Sequence, residues 1–225
     1  MKKNLLKTLC IVISIALISG CTGNKEKQEE SKGSTATQQQ AVTNQKTIEN
    51  LKAALLGETN ASANYAEFAK KANEEKQPEI AKLFQAASKA EAIHANNHAK
   101  VLEKLGVKND EIKPELTAVK STLENLEFAI KGETHEFEAM YPEFIKIAEQ
   151  ESVKDAVTSF NWALDTEKKH AGFYTKALAL LKEKKSKSIA NEYYICPKCG
   201  NTFEKGNVDE NCGFCMTPKS KYEKI

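Results

Sequence analysis

Residues 165–172 read DTEKKHAG, and this stretch places a glutamate, Glu167, three positions before a histidine, His170. The flanking sequences VKDAVTSFNWAL and FYTKALALL carry apolar residues at helical spacing, so we predict that the stretch lies within a helix. Glu167 and His170 fall inside the apolar stripe of that helix, between Phe160 and Tyr174, and not on its opposite face. A polar pair on the buried face of a helix needs partners, and the rest of the chain indicates what they are.

Helical periodicity extends over about residues 46–185 and divides into four segments. The predicted helices span residues 46–73, 78–105, 118–150 and 152–183. Pro142 favours a bend in the third helix. The sequence LKAALLGETNASANYAEFAKKA (51–72) aligns with LEFAIKGETHEFEAMYPEFIKIA (126–148) when one extra residue is allowed in the second copy. A helix pair that is repeated once predicts an all-α four-helix bundle with approximate twofold symmetry.

Each predicted helix carries at least one carboxylate near the middle of its apolar stripe. Five unpaired carboxylates in one core would each cost several kcal/mol, whereas two metal cations would neutralise them. One Glu from each of two helices and a Glu-x-x-His from each of the other two is the ligand pattern of carboxylate-bridged di-metal bundles. The sequence therefore predicts a di-metal site. The residues with this pattern are Glu58, Glu133, Glu91 with His94, and Glu167 with His170, and Glu136 is the fifth carboxylate.

Other polar residues lie close to these candidates in the sequence. For His98 and His135 we favour a position beside the site or at the surface over metal ligation. Tyr65 and Tyr141 occupy equivalent positions in the two halves, where they either pack in the core or hydrogen-bond the site. The side chains that we expect to face solvent are Glu138, Glu143, Lys168 and Lys169.

The C-terminal stretch CPKCGNTFEKGNVDENCGFC (196–215) contains two C-x-x-C pairs separated by twelve residues. Four thiolates from two such pairs form a tetrahedral site that is suited to zinc or to a single iron. A segment as short as 187–225 cannot fold on apolar burial alone, so the metal would be its core. Two disulfides are the alternative, which an extracytoplasmic location would favour. The four cysteines are Cys196, Cys199, Cys212 and Cys215.

The N-terminal residues 1–20 have the features of a signal peptide. MKKNLLK is positively charged, and the apolar run LCIVISIALIS is shorter than the ~20 residues that span a bilayer. LISGC resembles the lipobox of bacterial lipoproteins, which predicts lipidation of Cys21 and anchoring at the extracytoplasmic face of the cell membrane. An ordinary secretory signal is the alternative. Residues 21–45 lack aromatic residues and predict a flexible tether.

The composition of the chain disfavours some kinds of partner. The net charge of the 225 residues is only +2, which does not favour a nucleic-acid partner. All 33 basic residues are lysine, so the chain has no arginine to clamp a phosphate or a carboxylate in bidentate fashion.

The segments GETNASANY, EAIH, GETHEFEAMYP, DTEKKH and CPKCG…CGFC, in this order, resemble the rubrerythrin family over about residues 46–225. The resemblance implies a ferritin-like di-iron domain over 46–186 and a rubredoxin-like domain over 187–225. It implies that Glu136 is an additional ligand, which gives seven ligands for two bridged iron ions, and that Tyr65 and Tyr141 lie near them. It also implies one iron in the four-cysteine site. Zinc remains an alternative there, because CGFC lacks the proline that usually follows the first cysteine.

The same resemblance implies an activity. Rubrerythrins reduce hydrogen peroxide to water at the di-iron site, with electrons delivered through the four-cysteine iron, in defence against oxidative stress. In the family the tail of one subunit lies near the bundle of its partner, so we expect a homodimer or a larger homo-oligomer. The electron donor is left open. The alternatives are a ferroxidase or iron-binding protein, and a peroxide or redox sensor whose tail holds structural zinc.

Overall fold

The structure, a computed structural model, describes residues 44–108 and 112–225. The predicted signal peptide, Cys21 and almost all of the predicted tether therefore lie outside the described residues. Within the described ranges, no helix is both long enough and apolar enough to cross a membrane.

A bundle of long helices forms most of the described chain, which confirms the predicted fold class. The helical segments are α1 (Gln45–Glu74), α2 (Pro78–Lys104), α3 (Thr122–His135), a π-helical turn (Glu136–Met140), α4 (Tyr141–Gln150) and α5 (Lys154–Lys182). The segments α3, π turn and α4 follow one another without a break. Together they form the third long helix of the bundle.

The third helix begins at Thr122, so the predicted start at Ala118 is wrong. The Ser121 hydroxyl accepts a hydrogen bond from the backbone N–H of Glu124, whose carboxylate accepts one from the backbone N–H of Ser121. This capping box satisfies backbone donors that the first helical turn leaves free. The local hydrogen bonds, and not the apolar pattern, therefore set the start of the helix.

A π-helical turn interrupts the third helix just before Pro142, where the sequence predicted a bend. Tyr65 follows Glu58 by seven residues, whereas Tyr141 follows Glu133 by eight. A π turn accommodates one residue more than an α-helical turn does, so it absorbs the extra residue in the second copy of the repeat. As a result Tyr141 points into the bundle, where it is fully buried.

The bundle core consists of two apolar clusters. One contains Tyr65, Phe84 and Tyr174, and the other contains Tyr141 and Phe160. The carboxylates of the predicted site hydrogen-bond to a tyrosine of each cluster, so a polar layer lies where the two clusters meet. Close packing on both sides of this layer holds its side chains in place.

The C-terminal tail forms a small antiparallel sheet with the strand order β2-β1-β3. Its strands are β1 (Tyr193–Ile195), β2 (Thr202–Glu204) and β3 (Glu223–Lys224). Tyr193 and Ile195 belong to the same apolar cluster as Phe84 and Tyr174 of the bundle. The tail therefore packs against the bundle of its own chain, whereas the resemblance implied a contact with the bundle of a partner subunit.

Candidate metal centres

The structure brings six of the seven predicted di-metal ligands together in the middle of the bundle. All six side chains are buried. They form two overlapping groups, and within each group the candidate ligand atoms lie within 4.8 Å of one another. The first group is Glu58, Glu91, His94 and Glu167, and the second is Glu91, Glu133, Glu167 and His170.

Glu91 and Glu167 belong to both groups, and each presents one oxygen to each half of the site. Glu91 Oε2 lies 3.0 Å from His94 Nδ1, and Glu91 Oε1 lies 3.0 Å from His170 Nδ1. Glu167 Oε1 lies 3.0 Å from His94 Nδ1, and Glu167 Oε2 lies 3.3 Å from His170 Nδ1. Such an orientation suits carboxylates that bridge two metal ions.

Glu58 and Glu133 lie at the two ends of the site, each near one histidine. Glu58 Oε1 is 3.8 Å from His94 Nδ1, and Glu133 Oε1 is 3.9 Å from His170 Nδ1. Tyr65 donates a hydrogen bond to Glu133 Oε1 over 2.6 Å, and Tyr141 donates one to Glu58 Oε1. The tyrosine of each half of the repeat thus holds the carboxylate of the other half. The sequence left open whether these tyrosines only pack in the core.

We call the six buried candidate ligands the cage, and its unpaired atoms test whether it fits metal ions. Within the described residues, eight of its buried atoms have no hydrogen-bond partner: Glu58 Oε2, Glu133 Oε2, both oxygens of Glu91 and of Glu167, and Nδ1 of His94 and His170. Buried polar atoms without partners are costly and rare in folded proteins. Carboxylate oxygens and imidazole nitrogens that converge in this way are suitable ligands for a pair of iron ions.

The protonation tendencies of the carboxylates lead to the same conclusion. Burial, followed by the charges of neighbouring carboxylates, raises the pKa of Glu167 well above its usual value, and burial likewise raises the pKa of Glu58 and Glu133. Burial also opposes ionisation of Glu91, but the rings of His170 and His94 lower its pKa to about 2. Most of the cage therefore favours protonated carboxyls unless cations replace the protons.

Glu136, which the resemblance implied as the seventh ligand, is not brought into either group. It lies on the π turn and is half-buried. Burial and the nearby charge of Glu91 raise its pKa to about 8. Its charge also acts on Glu58 and Glu133, so it belongs electrostatically to the site.

His98 contacts Tyr141, the tyrosine that donates to Glu58 of the cage, whereas His135 is exposed. The His98 ring is fully buried, with Nε2 3.3 Å from the Tyr141 hydroxyl and Nδ1 2.8 Å from Ser159 Oγ. Burial and the charge of His94 lower the pKa of His98 to about 3, so the ring is neutral. Sequence reasoning missed Ser159, because no local pattern links it to a histidine on another helix.

The four cysteines of the tail form the second candidate centre. Their sulfur atoms lie within 4.8 Å of one another, and three of the four residues are fully buried. Cys196 Sγ lies 3.4 Å from Cys215 Sγ, and Cys199 Sγ lies 3.4 Å from Cys212 Sγ. A disulfide bond is about 2.05 Å long, so these sulfurs are free thiols and not disulfides. Four converging sulfurs fit a single tetrahedral metal ion.

The two centres meet through the histidines of the cage. His94 Nε2 lies 3.1 Å from the backbone oxygen of Cys199, and His170 Nε2 lies 3.0 Å from Thr202 Oγ1. These contacts leave Nδ1 of each ring facing the carboxylates, as expected for a histidine whose second nitrogen is held by the protein. The tail thus orients both candidate histidine ligands.

Gly200 makes this contact possible. A Cβ atom at this position would lie 2.2 Å from His94 Nε2, and the backbone φ angle is +81°. The backbone N–H of Gly200 donates to the backbone oxygen of Cys196 over 3.0 Å. The glycine therefore provides both a left-handed turn and the space for the histidine ring.

Lys169 departs from its predicted position. Lys168 is exposed as expected, but Lys169 is half-buried under the tail, where its Nζ donates to Asn201 Oδ1 over 2.6 Å. The prediction that both lysines face solvent is wrong for Lys169. The helical pattern alone did not include the tail that covers this part of α5.

Comparison with known proteins gives a consistent result. The sequence model of the family described as Rubrerythrin matches residues 49–178. Rubrerythrin-2 of Clostridium acetobutylicum is 34% identical over 183 residues, which cover 81% of this chain and 98% of that protein. Nigerythrin of Nitratidesulfovibrio vulgaris is 34% identical over 176 residues, which cover 78% of this chain and 85% of that protein.

Solved structures agree with the sequence relatives. A nigerythrin described as fully reduced and all ferrous superposes with a TM-score of 0.73 at 33% identity, over 80% of this chain and 86% of that one. A bacterioferritin from Desulfovibrio desulfuricans superposes with a TM-score of 0.61 at 20% identity, over 75% of this chain and 98% of that one. The bacterioferritin therefore shares the fold alone.

The raised pKa values predict how pH affects the metal-free protein. Groups whose pKa is raised on folding stabilise the folded state fully below their unfolded pKa of about 4.5, and this stabilisation is lost as pH rises through the folded pKa. Glu91 and His98 have the opposite sign. The change of Glu91 falls below pH 4.5, and the stabilisation from neutral His98 increases only up to its unfolded pKa of about 6.5, so we expect the loss from three raised carboxyls to outweigh this single gain. We expect Tm of the metal-free protein to be lower at pH 8 than at pH 5.5 by more than roughly 4 °C.

Thermal unfolding followed by circular dichroism checks this expectation, with the iron-loaded protein as the control. Bound cations neutralise the carboxylates, so the fall in Tm between pH 5.5 and 8 should be smaller in the loaded protein. A metal-free protein whose Tm is constant or rises over this range would contradict the assignment of buried, mutually repelling carboxyls.

The close approach at Gly200 predicts the effect of a single methyl group. We expect Gly200→Ala to destabilise the metal-loaded protein by about 1 to 3 kcal/mol more than backbone strain alone, because the new Cβ overlaps His94. Gly206→Ala is the matched control, since Gly206 also has a positive φ of +88° but has nothing within 4 Å of a Cβ. Denaturant unfolding of both variants measures the difference, and equal losses would show that the tail is not seated on His94.

Proposed function

The chain belongs to the rubrerythrin family, and on this premise we propose that it is a peroxidase that reduces hydrogen peroxide to water. It is a di-iron protein of a family of oxidoreductases that act in oxidative stress. The observation that carries the proposal is the contact between His94 and the backbone of Cys199, which joins the two metal centres. When bound, a di-iron pair supplies one electron from each metal and Lewis acidity toward the peroxide oxygens, and a four-cysteine iron carries single electrons.

The chain's own residues account for how such a pair would be held. Glu91 and Glu167 each present one oxygen to each half of the site, so these two carboxylates would hold both ions. The hydroxyls of Tyr65 and Tyr141 fix one oxygen of each terminal carboxylate and leave the other oxygen free to bind. The apolar clusters on both sides keep bulk water out of this layer.

Reduction of one hydrogen peroxide to two waters consumes two protons as well as two electrons. Glu136 lies on the π turn outside both ligand groups, where burial and the charge of Glu91 raise its pKa to about 8, so its carboxyl can carry a proton beside the cage. A hydrogen-bonded chain also runs from Ser159 through His98 and Tyr141 to Glu58. These groups support the proposal because they place exchangeable protons next to the candidate ligands.

Electron delivery through the tail is part of the proposal. The path from the Cys199 sulfur to the cage runs through the backbone of that residue, one hydrogen bond and the His94 ring. Asn97, which lies on α2 with His94, adds a second contact between α2 and the tail, because its Nδ2 donates to the backbone oxygen of Lys198 over 2.9 Å. The contact forms within a single chain, so it does not by itself require a second subunit. A homo-oligomer and an as yet unidentified electron donor complete the proposal.

We also propose that the protein is held at the extracytoplasmic face of the cell membrane by lipidated Cys21. The support is the sequence LISGC after a short apolar run, followed by a polar stretch long enough to act as a tether. The proposal concerns location and is independent of the chemistry of the metal centres.

The peroxidase proposal predicts the behaviour of the reduced protein. We expect the anaerobically reduced, iron-loaded protein to be reoxidised faster by hydrogen peroxide than by dioxygen, with the visible absorption of the tail returning in the same reaction. Glu167→Gln should slow this return by at least about ten-fold, because it disturbs a bridging ligand. Stopped-flow absorbance measures these rates.

Glu143→Gln is the control for this experiment, because Glu143 is an exposed glutamate of the same helical bundle. Faster reoxidation by dioxygen in the presence of added ferrous iron would instead favour a ferroxidase. A tail that binds zinc and shows no visible absorption would favour a sensor. Either result would contradict the proposed peroxidase.

The anchoring proposal predicts a change of fractionation in the bacterial cell. We expect Cys21→Ala to prevent incorporation of a labelled fatty acid and to move the protein out of the membrane fraction. Cys10→Ala is the control, since Cys10 lies within the predicted signal peptide and is not preceded by a lipobox. Equal labelling of both variants would exclude Cys21 as the lipidation site.

A further inference from the structure

Lys169 lies between the two candidate metal centres, and neither centre uses it as a ligand. It directly precedes His170 on α5, and its half-buried side chain extends under the tail. The Nζ atom lies 4.8 Å from the ring centroid of Phe203 and 4.9 Å from that of Phe214. Two aromatic rings of the tail thus hold the ammonium group in place through cation–π contacts.

Asn201 connects this ammonium group to the four-cysteine site. Its side chain is 1% exposed, and its amide oxygen accepts the hydrogen bond of 2.6 Å from Lys169 Nζ. Its amide nitrogen donates to Cys212 Sγ over 3.4 Å. The amide thus has its positive end on the sulfur and its negative end on the ammonium, so each hydrogen bond strengthens the other.

The sign of the electrostatic effect follows from the charges of an iron held by four thiolates. The oxidised centre carries a net charge of −1 and the reduced centre carries −2, since one electron is added without a proton. A nearby positive charge and a hydrogen bond to sulfur both stabilise the more negative state. Cys212, which accepts the hydrogen bond from Asn201, is fully buried, so water only weakly screens the electrostatic effect on its sulfur.

We propose that Lys169 and Asn201 form a relay that raises the reduction potential of iron in the four-cysteine site. Lys169 is a positioning residue in this scheme, because it acts on the sulfur through Asn201 and does not touch the metal. The proposal rests on an iron-loaded tail and not on the reaction with peroxide. A redox titration therefore tests it even if the proposed peroxidase activity is not found.

The test is the midpoint potential of the tail, measured by anaerobic redox titration of its visible absorption in the full-length protein loaded with ferrous iron. We expect Lys169→Gln to lower this potential by about 59 mV, which corresponds to a ten-fold weaker preference for the electron. Lys168→Gln is the matched control, since it removes the same charge from the exposed neighbouring position, and its potential should stay at the wild-type value. Lys169→Arg keeps the charge and should retain most of the wild-type potential.

A second variant separates the relay from a merely structural role. Asn201→Ala removes the donor to Cys212, and it should also lower the potential. Because Lys169 acts through Asn201, the potential of the double variant Lys169→Gln/Asn201→Ala should fall by less than the sum of the decreases in the two single variants. Thermal unfolding is measured in parallel, because a residue that only fastens the tail would lower Tm and leave the potential unchanged.

Several results would overturn the proposal. One is a potential of Lys169→Gln that equals that of Lys168→Gln or lies above the wild-type value. Another is a loss in Lys169→Arg as large as that in Lys169→Gln, which would make geometry and not charge responsible. If Lys169→Gln does not retain iron, the potential of Asn201→Ala alone tests the relay. An unchanged potential in Asn201→Ala would then reject it.

Discussion

The cost of burying carboxylates is the constraint on which the rest of this structure depends. Glu91 and Glu167 lie between two apolar clusters, where water cannot solvate their charges. The bundle meets this cost with a symmetric arrangement in which each bridging carboxylate faces two histidines and each terminal carboxylate is held by a tyrosine. Eight buried atoms of the six candidate ligands still have no hydrogen-bond partner, so metal ions would complete the interior of the protein as well as its chemistry.

Much of the bundle could be predicted from the sequence because two periodic signals coincide. The apolar stripes set the helices, and the internal repeat placed Glu58 opposite Glu133 and the Glu-x-x-His pairs opposite each other. The single extra residue in the second copy also carried structural information. It corresponds to the π turn Glu136–Met140, whereas Pro142 predicted only a bend.

What the sequence could not provide was the position of the tail. The contacts of His94, His170 and Lys169 with residues beyond Cys196 join segments that are far apart in the chain, and no local pattern encodes them. For the same reason the helical pattern predicted that Lys169 faces solvent. Helical periodicity indicates which face of a helix is buried in the bundle. It does not predict which other face is covered by a second domain.

The shared histidines also affect how the protein acquires its metals. His94 and His170 each offer one nitrogen to the cage and use the other to hold the tail. A tail that is folded around its own metal therefore fixes the rings in the orientation that the cage needs, and a filled cage in turn favours the seated tail. Thermodynamic coupling of this kind is reciprocal, so each centre increases the affinity of the other by the same factor. Such a chain fills cooperatively, and partly loaded molecules are depleted relative to empty and complete ones.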